Sequence, residues 1–273
     1  MMILRTITIA SIVMAALTLL SGSVLAAVLV FIGSWLGLAA LAFLFLVVVS
    51  KAVDQNKEQE EDDPFYRRVA NLYIEVLIQA LQARIKTSGL EKTPKDTRFL
   101  LVCNHQFVAD PAILLHFFKD SQLAFISKKE NRDMFVVGPV MHKMLCQCLD
   151  REDDRQALQV ILRCIRILKD NKASIAVFPE GSTNHDDLLH PFRPGVFKIA
   201  QKAQVPIVVC TVRNTRPIVH NGLRLKHTDV ELKLLEVIPA ESLKGRTAVD
   251  ISDQVYKIMA DDLGPDMIAK EEE

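Results

Sequence analysis

From Thr6 to Ser50 the chain carries no charged side chain, and this 45-residue stretch limits every reading of the rest. As one straight helix it would extend about 68 Å, more than twice the roughly 30 Å hydrocarbon core of a bilayer. Two helices folded back as a hairpin fit that thickness better, with Ser21-Gly22-Ser23 or Gly33-Ser34-Trp35-Leu36-Gly37 as the turn. Arg5 and Lys51 then share one side, which the positive-inside rule makes cytoplasmic. A signal peptide cleaved after Val24-Leu25-Ala26 is the competing reading and would put the rest of the chain on the opposite face. The apolar run continues for 24 residues past Ala26, so cleavage would still leave a span. An uncleaved membrane anchor over residues 1–52 is therefore the expectation.

After the anchor the pattern changes. Residues 53–63 read as an acidic linker and solvated spacer, because Asp54 to Asp63 is almost wholly polar and mostly acidic. Pro64 opens a predicted helix with Phe65, Val69, Leu72, Tyr73, Val76, Leu77 and Leu81 at helical spacing, running to about Ser88 with Gly89 as its stop. Packing against a sheet accounts for that stripe. Beyond it, apolar runs near 99–103, 123–126, 145–149, 173–178, 205–212 and 230–238 alternate with helical patterns near 111–119, 134–144, 152–171, 195–203 and 246–262. Such alternation predicts an α/β domain over 64–264, a mostly parallel sheet flanked by helices, followed by a short tail at 265–273.

Two polar signatures close apolar runs inside that domain. The first is Asn104-His105-x4-Asp110, after the β-compatible run Arg98–Cys103. Asp110 precedes Pro111 and an apolar segment, the form of a helix N-cap with proline at the first helical position. On one continuous helix a spacing of five would turn the two side chains roughly 140° apart. Across a loop they can meet. A carboxylate at a helix start stays ionised and accepts a ring N–H from His105, leaving the other nitrogen basic near neutral pH. The second signature, Phe178-Pro179-Glu180-Gly181, leaves the apolar run Ala173–Phe178, and small residues there let backbone N–H groups approach an anion. Arg193 and Lys198 follow beside another glycine turn, a setting suited to phosphate, so a phosphorylated alcohol is the substrate class these residues suggest.

At these residues the chain resembles the PlsC-type glycerolipid acyltransferase family over roughly residues 65 to 240. Four blocks stand in the family's order: Asn104-His105-x4-Asp110; Lys128-Lys129-Glu130 through Gly138-Pro139 to Leu149-Asp150-Arg151; Phe178-Pro179-Glu180-Gly181; and Val205-Pro206-Ile207. The resemblance implies a catalytic pair, His105 as general base and Asp110 as its orienting partner. It implies substrate contacts from Asn104, Lys128, Arg151 and the turn Glu180-Gly181-Ser182-Thr183, with Arg193 and Lys198 as further cations. It also implies acyl-CoA or acyl-carrier protein as thioester co-substrate, a lysophospholipid acceptor held in membrane lipid, and no covalent acyl-enzyme, bound cofactor or metal.

Two departures bear on the acceptor. Many members have serine two residues after the histidine, where Phe107 stands, and Thr-Arg after Glu-Gly, where Ser182-Thr183 stands. Without that arginine, other lysophospholipids and glycerol 3-phosphate stay open beside lysophosphatidic acid, as do thioester-independent transacylation and a lipid-binding role without catalysis. Lys128, Arg193 or Lys198 are the cations available to replace it.

The remaining composition mainly excludes. Lysine plus arginine and aspartate plus glutamate number 33 each, which points to no nucleic-acid partner. Five cysteines, an odd number lying mostly in apolar runs, read as buried thiols, and Cys146-x-Cys148 lacks a second ligand pair for zinc. Among the other histidines none has a carboxylate in an equivalent setting. His185, before Asp186-Asp187, reads with them as solvated loop.

Overall fold

The computed structural model of the chain describes residues 2–150, 152–182 and 186–269. Helices α1 (Met2–Leu19) and α2 (Val24–Lys51) pack as a hairpin whose turn falls at Ser21-Gly22-Ser23, the first of the two expected places. Ser23 caps α2 by accepting from the Ala26 N–H at 3.2 Å, and Trp35 Nε1 donates to Thr8 Oγ1 across the pair at 3.3 Å. Both helices are long and apolar enough to cross a membrane.

Helix α3 (Pro64–Ala80) begins as expected, with Asp63 as N-cap accepting from the Phe65 and Tyr66 N–H groups. Its end differs from the expectation of about Ser88. The chain turns at Leu81-Gln82, with Gln82 in the left-handed region at φ 51°, and Ala83–Ser88 form strand β1. The period had already changed: Ala83 and Ile85 alternate with exposed Arg84 and Lys86, a two-residue repeat that pairs with the last strand.

The sheet has seven strands in the order β1-β7-β6-β2-β5-β3-β4. The others are β2 (Leu100–Cys103), β3 (Leu123–Lys128), β4 (Gln147–Leu149), β5 (Ser174–Val177), β6 (Ile207–Arg213) and β7 (Thr228–Ile238). All neighbours are parallel except β6 and β7. Because both faces of the central strands are covered, β2 and β5 are buried at every position rather than alternating, which is why they read as nearly continuous apolar runs. On β2, Leu100 and Val102 enter one core layer with residues of α6 (Asp154–Lys169), α7 (Lys198–Ala203) and α9 (Ala248–Leu263). Leu101 and Cys103 enter the other, with residues of α3, α4 (Asp110–Phe117) and α5 (Val137–Lys143).

The acidic linker is not a free spacer. Arg163 and Lys172 pair with Glu60, and Asp62 is buried against Arg67 with an N–O separation of 2.6 Å. Arg67, itself 6% exposed, also donates to the Leu123 carbonyl at 2.7 Å, so it ties the linker and α3 to the start of β3. Removing one member of a buried pair strands the other charge, so Arg67→Met should destabilise the domain by about 3 kcal/mol. The check is the thermal unfolding midpoint in detergent, and adding Asp62→Asn should recover part of the loss.

Candidate active site

Strands β2, β5 and β6 run parallel, so the segments that leave Cys103, Val177 and Arg213 emerge on one edge of the sheet. There the two signatures meet. His105 Nδ1 lies 2.8 Å from Asp110 Oδ2, and the same oxygen accepts the backbone N–H groups of Gln106 at 2.7 Å and Phe107 at 2.8 Å. Asp110 is therefore the first residue of α4 rather than its N-cap, a position taken by Ala109. Its carboxylate folds back over the preceding loop instead of capping the helix. Its side chain is 0% exposed, so these three contacts, and not water, are what Oδ2 has around it.

His105 is held in two further ways. Its backbone N–H donates to Glu180 Oε1 at 2.8 Å, and its ring stacks on Phe178 with centroids 4.0 Å apart and planes 15° from parallel. The other Glu180 oxygen accepts the His190 N–H at 3.2 Å. Glu180, expected at the substrate, thus turns its buried carboxylate onto protein amides and joins the second signature to the first. Asn104 is likewise engaged within the protein. Its side chain donates to the Val212 carbonyl at 3.0 Å and accepts the Val212 N–H at 2.8 Å, so it extends the β2–β6 pairing and is 3% exposed.

The expected cations are brought together only in part. Arg193 donates its backbone N–H to the Pro179 carbonyl at 2.8 Å, and its side chain lies against the Gly181 turn. Lys198 is exposed at the start of α7, five residues further along. Lys128 ends β3, which lies two strands from β2, roughly 10 Å away in the sheet. Ser182 is exposed next to Gly181, whereas Arg151 and Thr183 lie outside the described residues.

Several neighbours were not read from the sequence. Arg216, on the segment after β6, pairs with Asp187 at 2.8 Å, and the Asp187 carbonyl accepts from the Gln106 side chain at 3.3 Å. Asp187 raises the Arg216 pKa, with a smaller contribution from Asp110, which places this cation in the field of the histidine's partner. His190 Nε2 lies 2.9 Å from Asp186 Oδ2, so a second histidine does have a carboxylate, and Asp186 and Asp187 are engaged rather than merely solvated. His185 lies outside the described residues. Arg216 and Asp187 meet only through the fold, whereas Asp186 and His190 are four residues apart on a loop with no regular repeat to mark them. Cys103, adjoining Asn104, is no rival nucleophile: burial pushes its thiol far above the ordinary range, with Cys210, Asp110 and Glu180 adding to the shift. Among the described residues no three His, Cys, Asp or Glu side chains converge as metal ligands.

A histidine and carboxylate held at strand exits of a parallel sheet, beside a glycine turn and a cation, make a site with the groups that general acid–base chemistry uses. Comparison with known proteins agrees. The family model described as Acyltransferase matches residues 84–213, from β1 through β6, and includes both signatures. A chloroplastic 1-acyl-sn-glycerol-3-phosphate acyltransferase of Brassica napus is 34% identical over 171 residues, covering 62% of this chain and 48% of that protein. A probable 1-acyl-sn-glycerol-3-phosphate acyltransferase of Mycoplasma pneumoniae is 27% identical, covering 69% and 73% respectively. The crystal structure of the 1-acyl-sn-glycerophosphate acyltransferase PlsC from Thermotoga maritima superposes with a TM-score of 0.59 at 23% identity, over 72% of this chain and 79% of that one. The chain thus spans about half the length of the plant relative and shares its fold with the bacterial structure. Family model, relatives and fold all support a likeness to the PlsC-type glycerolipid acyltransferase family.

The glycine of the second signature has a local reason. Gly181 has φ +80°, and a Cβ there would lie 2.7 Å from Arg193 Nε. Gly181→Val should therefore cost about 1–2 kcal/mol in backbone strain and push the Arg193 side chain off the turn. A lowered unfolding midpoint is the expected result, measured against the unsubstituted chain in detergent.

Proposed function

We propose that this chain transfers a fatty acyl group from a thioester donor, acyl-CoA or acyl-carrier protein, to the free hydroxyl of a lysophospholipid, with lysophosphatidic acid as acceptor and phosphatidic acid as product. The observation that carries this reading is the 2.8 Å contact between His105 Nδ1 and an Asp110 oxygen that also holds two loop amides. His105 Nε2 takes the proton of the acceptor hydroxyl as its oxygen bonds to the thioester carbon. The tetrahedral oxyanion then collapses, the carbon–sulfur bond breaks, and the imidazolium returns the proton to the leaving thiolate. Free thiol and ester remain, with the histidine restored. Asp110 stabilises the imidazolium between these steps, and Phe178 against the ring face keeps it from turning.

The acceptor's phosphate falls to the Gly181 turn and Arg193, which lies against it in place of the arginine expected after the second signature. The helical hairpin holds the domain on the cytoplasmic face, where acceptor and product keep their acyl chains in lipid.

The test is transfer from labelled acyl-CoA, and then acyl-carrier protein, by detergent-purified full chain. Lysophosphatidic acid, lysophosphatidylcholine and glycerol 3-phosphate are offered in parallel, with His105→Ala as control. Phosphatidic acid formed only by the unsubstituted chain supports the reading; no product from any acceptor with either donor overturns it. Asp110→Asn keeps an oxygen for the Gln106 and Phe107 amides, so the fold should persist while kcat falls by about 10² or more. A near-normal kcat in that variant would remove Asp110 from catalysis.

A further inference from the structure

Helix α3 lies alongside α2, and two tyrosines set the register. Tyr66 donates its hydroxyl to the Val49 carbonyl at 3.1 Å, and Tyr73 donates to that of Ala42. Seven residues forward on α3 match seven residues backward on α2, so the helices run antiparallel. The C-terminal end of α3 is therefore carried past Ala42 toward the apolar middle of α2. At 1.5 Å per residue Ala80 reaches about 10 Å beyond Tyr73 in that direction. The sequence agrees with that placement. From Val76 to Leu90 there is no acidic residue, and the two charges present, Arg84 and Lys86, are exposed on the β1 edge.

The end of α3 carries a second element with it. Gly222, in α8 (Ile218–Leu223), sits so close that a Cβ there would lie 2.8 Å from Leu81 Cα. The Gln82 carbonyl accepts the Thr228 N–H at 3.4 Å and lies 3.3 Å from His227 Nδ1. These contacts fasten the turn between α8 and β7 to the flank of the domain that lies along α2. On that turn Leu223 is 80% exposed and Leu225 is 79% exposed, more than any other large apolar side chain described outside the hairpin region. They alternate with exposed Arg224 and Lys226, and residues 215–228 contain no acid. In a chain of zero formal charge this is a local excess of cations beside bare leucines.

We propose that Leu223-Arg224-Leu225-Lys226 is a second membrane contact, separate from the hairpin, which seats the β1 edge of the domain on anionic lipid. The leucines enter the boundary between headgroups and acyl chains. Arg224 and Lys226 meet lipid phosphates. A bilayer is the occupant favoured over a second protein because α3, to which the turn is fastened, lies along a helix apolar enough to span, and because the charges of residues 215–228 are all cationic.

The chain's one tryptophan, Trp35, makes a direct test possible. In the full chain carrying Trp35→Phe, a single reporter is introduced by Leu225→Trp, or by Leu158→Trp on α6, which belongs to the core layer opposite α3. Each protein is reconstituted into vesicles of phosphatidylcholine and phosphatidylglycerol. The Leu225→Trp reporter should show blue-shifted emission, quenching by bromine-labelled acyl chains at least about threefold greater than at position 158, and little quenching by iodide. Arg224→Glu with Lys226→Glu should reduce the bromine quenching. Iodide access equal to that at position 158 would overturn the proposal. So would protection from iodide without bromine quenching, which would mean that protein covers the turn. The readout needs no turnover, so its failure is separate from any failure of the acyl-transfer assignment.

Discussion

A buried charge has to be answered by donors, and the Asp110 carboxylate sets that requirement at the centre of this site. One of its oxygens gathers the His105 ring and the amides of Gln106 and Phe107, so a short loop is wound around a single acceptor. Glu180 imposes the same requirement from the neighbouring strand, taking the backbone N–H of His105 with one oxygen and that of His190 with the other. The histidine is thus gripped at its backbone, its ring nitrogen and, through Phe178, its ring face. None of these contacts is strong alone, since a typical hydrogen bond to a charged group contributes about 1.5–3 kcal/mol. Together they leave the imidazole one orientation.

Much of this was legible in the residues. Strands β2, β3, β5 and β6 appear as apolar runs because both faces of the central sheet are covered. The His105 and Asp110 pairing follows from a loop spacing that a helix would forbid. Most of the parts that were not legible share a cause: their partners are distant in sequence. The α3 boundary was misjudged because Leu81 continues the helical stripe, while the evidence for β1 is its pairing with β7, about 145 residues on. Asn104 and Glu180 give no sign in the sequence that their side chains bond Val212 and two histidine amides. The Arg216–Asp187 and His190–Asp186 pairs carry no motif at all.

The acidic segment 54–63 shows how composition can mislead. A run of acids normally stays in water. Here Arg67, Arg163 and Lys172 supply cations at the places where Asp62 and Glu60 fall, and the segment becomes a strap between the hairpin and the domain. Anchor and domain are thereby joined by specific contacts as well as by the chain itself, including the two tyrosines of α3 that reach α2.

The contact between the His105 amide and Glu180 spans 75 residues, and the Asn104 amide reaches 108 residues to Val212. Contacts of that range form late, after loop closure has been achieved across intervening helices and strands. A chain still emerging, or one only locally folded against a bilayer, holds the histidine in a loose loop with no fixed proton acceptor. The contacts that fix this histidine therefore need β2, β5 and β6 all in place, and a copy lacking any of them lacks the arrangement.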